Sequence, residues 1–310
     1  MDVIALIDAP AEHYPLWDWV GDEVRLRLVL RAASQSAPPP AEHAMVHYYD
    51  AGPSVRDALA CLCDERRPDR ILSFGRRDVL RAAAARLMHG VLAGQSYTSA
   101  VAHYDKVTMR GLLREADLPV TPWAPLPAAT DLYKFIARNG YPVLIKTRDG
   151  SRPARRLDHA GHTHEVTEQR EAFAPPGVSL IAEAYQSAPR ITIDALDDDG
   201  RMELYPVVRT MPHHGGHTRG GVILDRGDLT AARAREMLRN ALDALPERDT
   251  APVHAEFWDT PGGLVAHQIV ARCPSLRARR LIEQRTGTDP AARYVHAAVG
   301  KHHTATSAAA

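Results

Sequence analysis

Short apolar runs alternate with segments of helical periodicity through the first hundred residues, and no other feature restricts the fold as much. Val3 to Ile7, Ala44 to Tyr49 and Arg70 to Phe74 read as strands. Ser54 to Asp64 and Asp78 to Met88 carry apolar residues at helical spacing. Strands separated by helices predict a small parallel sheet, because adjacent parallel strands need a long crossover between them. The turn after Ile7 reads Asp8, Ala9, Pro10 and lacks the glycine fingerprint of a dinucleotide fold, so no dinucleotide site is expected. The prolines of Ser36 to Ala41 predict a surface loop.

The texture changes from Tyr104. Lys106 to Ala116 reads as a helix, followed by an extended exit from Leu118 to Pro122. Asp131 to Arg138 is a second helix, with Thr130 as N-cap and Gly140 as its stop. Tyr141 to Lys146 is a strand ending on a lysine, and Arg148 to Gly177 reads as a polar loop. Ser179 to Ala184 and Arg190 to Leu196 are strands; the latter turns at Asp198, Asp199 and Gly200 and returns through Met202 to Val208. Leu229 to Leu245 is a long amphipathic helix, and Val253 to Trp258 pairs with Leu264 to Val270 across a Pro261, Gly262, Gly263 turn. The tail from residue 301 to 310 is expected to be disordered.

At 310 residues, 45% hydrophobic and 25% charged, the chain is long enough for two or three globular units. Thirty-eight basic and 38 acidic side chains cancel, so no global field draws it to nucleic acid or an anionic membrane. Three cysteines without a C-x-x-C pair offer neither a disulfide framework nor a zinc ribbon. With no signal-like start and no apolar run of bilayer length, a cytoplasmic setting is expected. The basic residues include only four lysines, at 106, 134, 146 and 301. An ammonium is a compact point charge suited to phosphate oxygens, and Lys106 and Lys146 sit where such a role is available. Lys134, on a helix face, and Lys301, in the tail, read as solvated.

Four segments together resemble the ATP-grasp superfamily: "YDKVTMRGLLREADLPV" (104–120), "NGYPVLIKT" (139–147), "LIAEAY" (180–185) and "HAEFWDTPGGLVAHQIVAR" (254–272). The resemblance implies α/β and α+β architecture: a Rossmann-like N-terminal domain over 1–98, then an ATP-grasp domain of two subdomains over 99–300, its lid at about 115–185. It implies ATP and Mg2+ as cofactors. Lys106, Lys146 and Ser151 would meet the phosphates, and Glu183, Ala184 and Tyr185 the nucleoside. Glu256 and Gln268 would hold the metal, and Arg272 would face an acyl phosphate. Arg219 is the candidate for holding a substrate carboxylate, because its fork fits one bidentately.

The same comparison exposes departures. Gln268 stands where the family has a second glutamate, Val270 where it has an asparagine, and Arg190 where many relatives carry another glutamate. Pro153 enters a loop that is usually richer in glycine, and Cys273, Pro274 and Ser275 replace a glycine-containing turn. Strand alternation places His254, Glu256 and Trp258 on one face of their strand and Ala266, Gln268, Val270 and Arg272 on one face of the next, so Glu256, Gln268 and Arg272 can converge. The histidines at 159, 162, 164 and at 213, 214, 217 read as polar loop clusters, not as a metal site with fixed geometry.

The function expected from the resemblance is an ATP-dependent carboxylate–amine ligase working through an acyl phosphate. "HAEFWDTPGG" looks closest to ligases acting on amino acids; "YPVLIKTR" with "MELYPVV" looks equally like the carboxylating enzyme of purine synthesis, whose glycine-rich start is missing here. Partners would be small-molecule carboxylate and amine substrates, with a homodimer common among such enzymes. The alternative is an altered or inactive homologue that binds a ligand or partner.

Overall fold

The computed structural model describes residues 1–31, 44–49, 53–150, 152–168, 176–210 and 221–301. Ser151, Arg219 and the cluster His213, His214, His217 lie outside the described residues, as does the tail beyond Lys301. Lys301 itself is held, its ammonium 3.0 Å from Glu23.

The first sheet is parallel, in the order β3-β2-β1-β4, from β1 (Asp2–Ile7), β2 (Arg25–Arg31), β3 (Ala44–Tyr49) and β4 (Arg70–Ser73). It has one strand more than the sequence predicted. The missed strand, RLRLVLR, alternates arginine with leucine and looks half solvated, yet Arg27 is fully buried. Its guanidinium is neutralised by the buried Asp2 carboxylate, to which Nε donates at 2.9 Å, and it also donates to the carbonyls of Leu62 and Arg66. Alternate residues of the strands serve opposite faces. Ile4, Leu6, Val29 and Ile71 pack on α2 (Pro53–Glu65) and α3 (Val79–His89), following α1 (Leu16–Val20) in the chain. Val3, Ala5, Ile7, Leu26 and Leu28 face the other way.

Next come α4 (Tyr97–Tyr104) and α5 (Lys106–Glu115), the latter capped by Asp105, whose carboxylate accepts from the backbone N–H groups of Val107 and Thr108. The second sheet is antiparallel, order β5-β8-β6-β7, from β5 (Trp123–Pro125), β6 (Val143–Thr147), β7 (Arg155–Leu157) and β8 (Leu180–Ala184). Its apolar face closes on α6 (Ala129–Asn139) and α7 (Ala160–Glu168) through Leu132, Phe135, Val143, Ile145, Val166 and Ala182. Two expectations are corrected here. Helix α6 is capped at Ala128, whose N–H is taken by the Asp131 carboxylate, so Thr130 lies inside the helix. The polar segment after Arg148 contains β7 and α7, whose few apolar residues, Leu157 and Val166, were too sparse to signal order but suffice to bury it. His162 and His164 are therefore helical, the latter 3.2 Å from Glu168.

The third sheet runs β12-β11-β9-β13-β14 with β10 on β9. Its members are β9 (Arg190–Asp198), β10 (Arg201–Leu204), β11 (Val208–Thr210), β12 (Val222–Ile223), β13 (Ala251–Thr260) and β14 (Gly263–Val270). The turn through Asp199 and Gly200 is as expected, but the return strand divides into β10 and β11. One face, with Ile191, Ile193, Ala255, Phe257 and Ile269, is sealed by α8 (Leu229–Asp243) and by Met109 and Leu113 of α5. After the hairpin, α9 (Leu276–Thr286) and α10 (Pro290–Ala298) return to the first sheet, where Tyr294 and Val295 join the Val3, Ala5 cluster. No helix of the described residues is long and apolar enough to cross a membrane.

The Arg27–Asp2 pair sets a stability test. Removing Arg27 takes from Asp2 its buried partner and leaves it only the more exposed Arg66 and Arg25 guanidiniums at 3.4 and 3.8 Å, so Arg27→Ala is expected to cost about 3 kcal/mol in urea unfolding. Arg56→Ala, at a largely exposed pair with Asp57, should cost under about 1 kcal/mol.

Candidate active site

The site forms where β6 and β8 face α5 and the β13–β14 hairpin. Lys146 and Glu183 project from the same face of their sheet, since Leu144 pairs with Glu183 and Lys146 with Ile181 while the intervening residues fill the apolar core. The Lys146 ammonium lies 2.5 Å from Glu183 Oε2, and Arg110 Nη1 of α5 lies 2.8 Å from Oε1. Glu183 is 1% exposed. Burial opposes its charge, but Arg110 and Lys146 outweigh that and hold its pKa down to about 2. Burial also lowers the pKa of Lys146, against the pull of Glu183.

Arg110 also donates to the carbonyl of His267 at 3.1 Å, tying α5 to the hairpin. Here β14 carries a bulge: Glu256 pairs with Gln268 and Phe257 with Ala266, so His267 is the extra residue. Its ring reaches the same region as Glu256, Nε2 to Oε2 3.9 Å, and packs against the Trp258 indole at 5.0 Å. Burial and then the Lys146 charge push the His267 pKa down to about 3, so its imidazole is neutral at physiological pH. Glu256 is bracketed. His254 Nε2 stands 3.3 Å from Oε1 and Arg190 Nη1 3.2 Å from Oε2, while His254 Nδ1 is 2.7 Å from Asp194. Burial disfavours the Glu256 carboxylate, yet His254, His267 and Arg190 keep its pKa far below the ordinary range.

A second group of cations lies at the start of α5. The Lys106 ammonium donates to the Arg148 carbonyl at 3.4 Å, and the Arg148 side chain returns to Asp105, Nε to Oδ1 2.6 Å. Gly150 has φ +69°, and a Cβ there would meet Lys106 Nζ at 2.7 Å and the Arg76 guanidinium closer still. The loop after β6 therefore rests its backbone directly on two cations, a close approach that a side chain would prevent. Burial, then the neighbouring Arg76 charge, brings the Lys106 pKa down to about 7. Arg76 donates to the carbonyl of Tyr104 at 2.9 Å and lies 5.2 Å from that ring. Arg272 donates to the Cys273 carbonyl at 2.9 Å, and its charge acts on both Arg76 and His254.

The structure thus joins Lys146 to Glu183 directly, places Lys106 within charge range of both, and pairs Glu256 with Gln268 across the hairpin, while Arg272 reaches the group only through its charge on Arg76 and His254. Ala184 and Tyr185 follow Glu183, and their N–H groups already donate to the carbonyls of Pro122 and Pro142. The Tyr185 ring is covered by the Arg156 guanidinium at 4.1 Å. Sequence reasoning missed Arg76, Arg110 and His267, and placed His254 on the face of Glu256 without giving it a role. Arg110 was available, since it stands four residues after Lys106 and so on the same helix face. His267 was not, because only the bulge turns it into the cleft.

Glu183→Gln should show how much the cleft depends on one charge. The substitution leaves Arg110 and Lys146 facing a neutral amide and is expected to cost about 3–5 kcal/mol. Because the folded pKa of Glu183 is depressed from 4.5 to about 2, its contribution is complete above 4.5 and is lost as pH falls toward 2. Urea midpoints of the parent chain should therefore drop more steeply through that window than those of Glu183→Gln.

No family model matches the chain. A curated relative, the L-arginine-specific L-amino acid ligase of Bacillus subtilis, is 23% identical over 226 residues, which are 70% of this chain and 54% of the relative; the chain thus spans about half the length of that protein. Among solved structures, an L-amino acid ligase from Bacillus licheniformis superposes with a TM-score of 0.74 at 15% identity, over 96% of this chain and 74% of its own. An N5-carboxyaminoimidazole ribonucleotide synthetase in complex with ADP superposes with a TM-score of 0.75 at 15% identity, over 96% and 76%. Both neighbours are ATP-grasp enzymes. This chain has the ATP-grasp fold of these neighbours.

Proposed function

We propose that this chain is an ATP-dependent ligase that activates a carboxylate as its acyl phosphate and joins it to an amine, with an amino acid or a similar small metabolite as substrate. The observation that carries the reading is the pair of partly desolvated lysines, Lys106 against the Gly150 turn and Lys146 on Glu183, close enough to act on one another's charge, in a fold whose solved neighbours include a nucleotide complex. In this reading Lys106, Lys146 and Ser151 take the phosphates. Glu183 positions Lys146 and borders the nucleoside with the carbonyls of Ala184 and Tyr185. Arg272 and Arg76 meet charge developing on the acyl phosphate, and Arg219 holds the substrate carboxylate. Fixed cations in a water-poor cleft stabilise a transferring phosphoryl group without reorganising during the reaction. The curated relative favours the amino-acid side over the carboxylating side.

Magnesium is a poor match to the hairpin. Of the pair expected to bind it, Gln268 is neutral and Glu256 is already engaged by Arg190 and His254. Among the described residues no group of three or more His, Cys, Asp or Glu side chains is arranged to hold a metal. The reading therefore carries no step through a hairpin-bound metal.

ATP is expected to raise the melting temperature, and ADP release over a panel of amino acids should depend on the amino acid supplied. Absence of ATP stabilisation would sink the reading; stabilisation without ADP release for any pair would leave a ligand-binding homologue. Lys146→Ala is expected to lower ADP release by about a hundredfold, the usual scale for losing one fixed charge at a developing anion. Proton linkage offers a separate check. A triphosphate beside Lys106 favours its ammonium and raises a pKa now near 7. At about pH 8 calorimetry in buffers of different ionisation enthalpy should show proton uptake on ATP binding, and Lys106→Arg should abolish it, because a guanidinium is already charged.

A further inference from the structure

The charge arrangement around Glu256 differs in kind from a carboxylate waiting for a metal. Its Oε2 faces Arg190 Nη1 at 3.2 Å and its Oε1 faces His254 Nε2 at 3.3 Å, and His254 is fixed from behind by Asp194 at 2.7 Å. Arg190 comes from β9, where it pairs with Trp258, and its guanidinium lies 5.7 Å from that indole. The arginine is the outer member of the pair, 29% exposed against 17% for the glutamate. Across the hairpin, Gln268 adds an amide and no charge. A divalent ion approaching Glu256 would have to displace Arg190 and then remain beside a guanidinium of like sign.

We propose that Arg190 is the built-in cation of this site, held over the cleft by Glu256 and Trp258, and that it contacts the anionic phosphates of a nucleoside triphosphate directly, so that binding requires no hairpin-bound divalent ion. The inference rests on the nucleotide-binding reading above. Arg190 is suited to the task because a guanidinium paired on one edge keeps N–H donors free on the other for a second oxyanion. Glu256 then positions Arg190 rather than coordinating an ion.

The test is calorimetric titration of ATP into the full chain in excess EDTA and again in magnesium. Binding at least as tight in EDTA supports the proposal. Binding that appears only with magnesium, or tightens about tenfold or more with it, overturns the proposal while leaving the nucleotide reading intact. Absence of ATP binding in both conditions overturns the nucleotide reading and the proposal together. Arg190→Gln should weaken ATP binding in EDTA by about tenfold or more, the scale of one charge-assisted hydrogen bond; an unchanged affinity overturns the proposal. A readout independent of nucleotide and of any folding defect in a variant is manganese titrated into the unliganded parent chain and followed by electron paramagnetic resonance. No saturable binding is expected, and saturable binding that is lost in Glu256→Gln overturns the assignment.

Discussion

The Glu183 carboxylate, closed off from water between Arg110 and Lys146, is the interaction on which the arrangement of the cleft depends. It joins β8 to β6 within one sheet and both to α5, and through the Arg110 bond to the His267 carbonyl it reaches the hairpin of another sheet. Each ion alone would be expensive in this environment; together, with a cation beside each carboxylate oxygen, they are tolerable. The consequence is a lysine whose position is fixed before any ligand arrives. Preorganisation of that kind is what a site acting on phosphates requires.

Around this anchor the cleft separates into two charge environments. Lys106 and Arg76 form a cationic group at the Gly150 turn, with the Arg272 charge acting on Arg76, and burial and the Arg76 charge lower the Lys106 pKa. Beyond Glu183, the charges are paired within the protein: Asp194 with His254, and Glu256 with His254 and Arg190. The first environment favours an incoming anion. The second is internally neutralised and offers an incoming cation little.

Much of this was legible in the sequence. Lys106 and Lys146 stood out because the chain has so few lysines; period-two alternation put Glu256 and Gln268 on faces that can meet, but it also put Ala266 beside Gln268, and the bulge at His267 turns Ala266 into the core instead. Helical spacing would have added Arg110. Arg27 and its strand were missed because an arginine in an apolar run looks solvated unless its carboxylate partner, Asp2, is known to lie beside it in space. Helix α7 was missed because so little of it is apolar that its order depends on the β7 and β6 surface beneath it.

The sequence by itself determined the strongly periodic elements, their order, and which lysines and carboxylates were candidates for a site, because periodicity and local chemistry depend on neighbours within a turn or two. Only the tertiary structure decided how those charges pair. A bulge of one residue turned His267 toward Glu256, and the β9–β13 register carried Arg190 to the same carboxylate. Ion pairing inside a protein is set by contacts between distant segments and by the loss of water around them, and neither can be read from the spacing of residues along the chain.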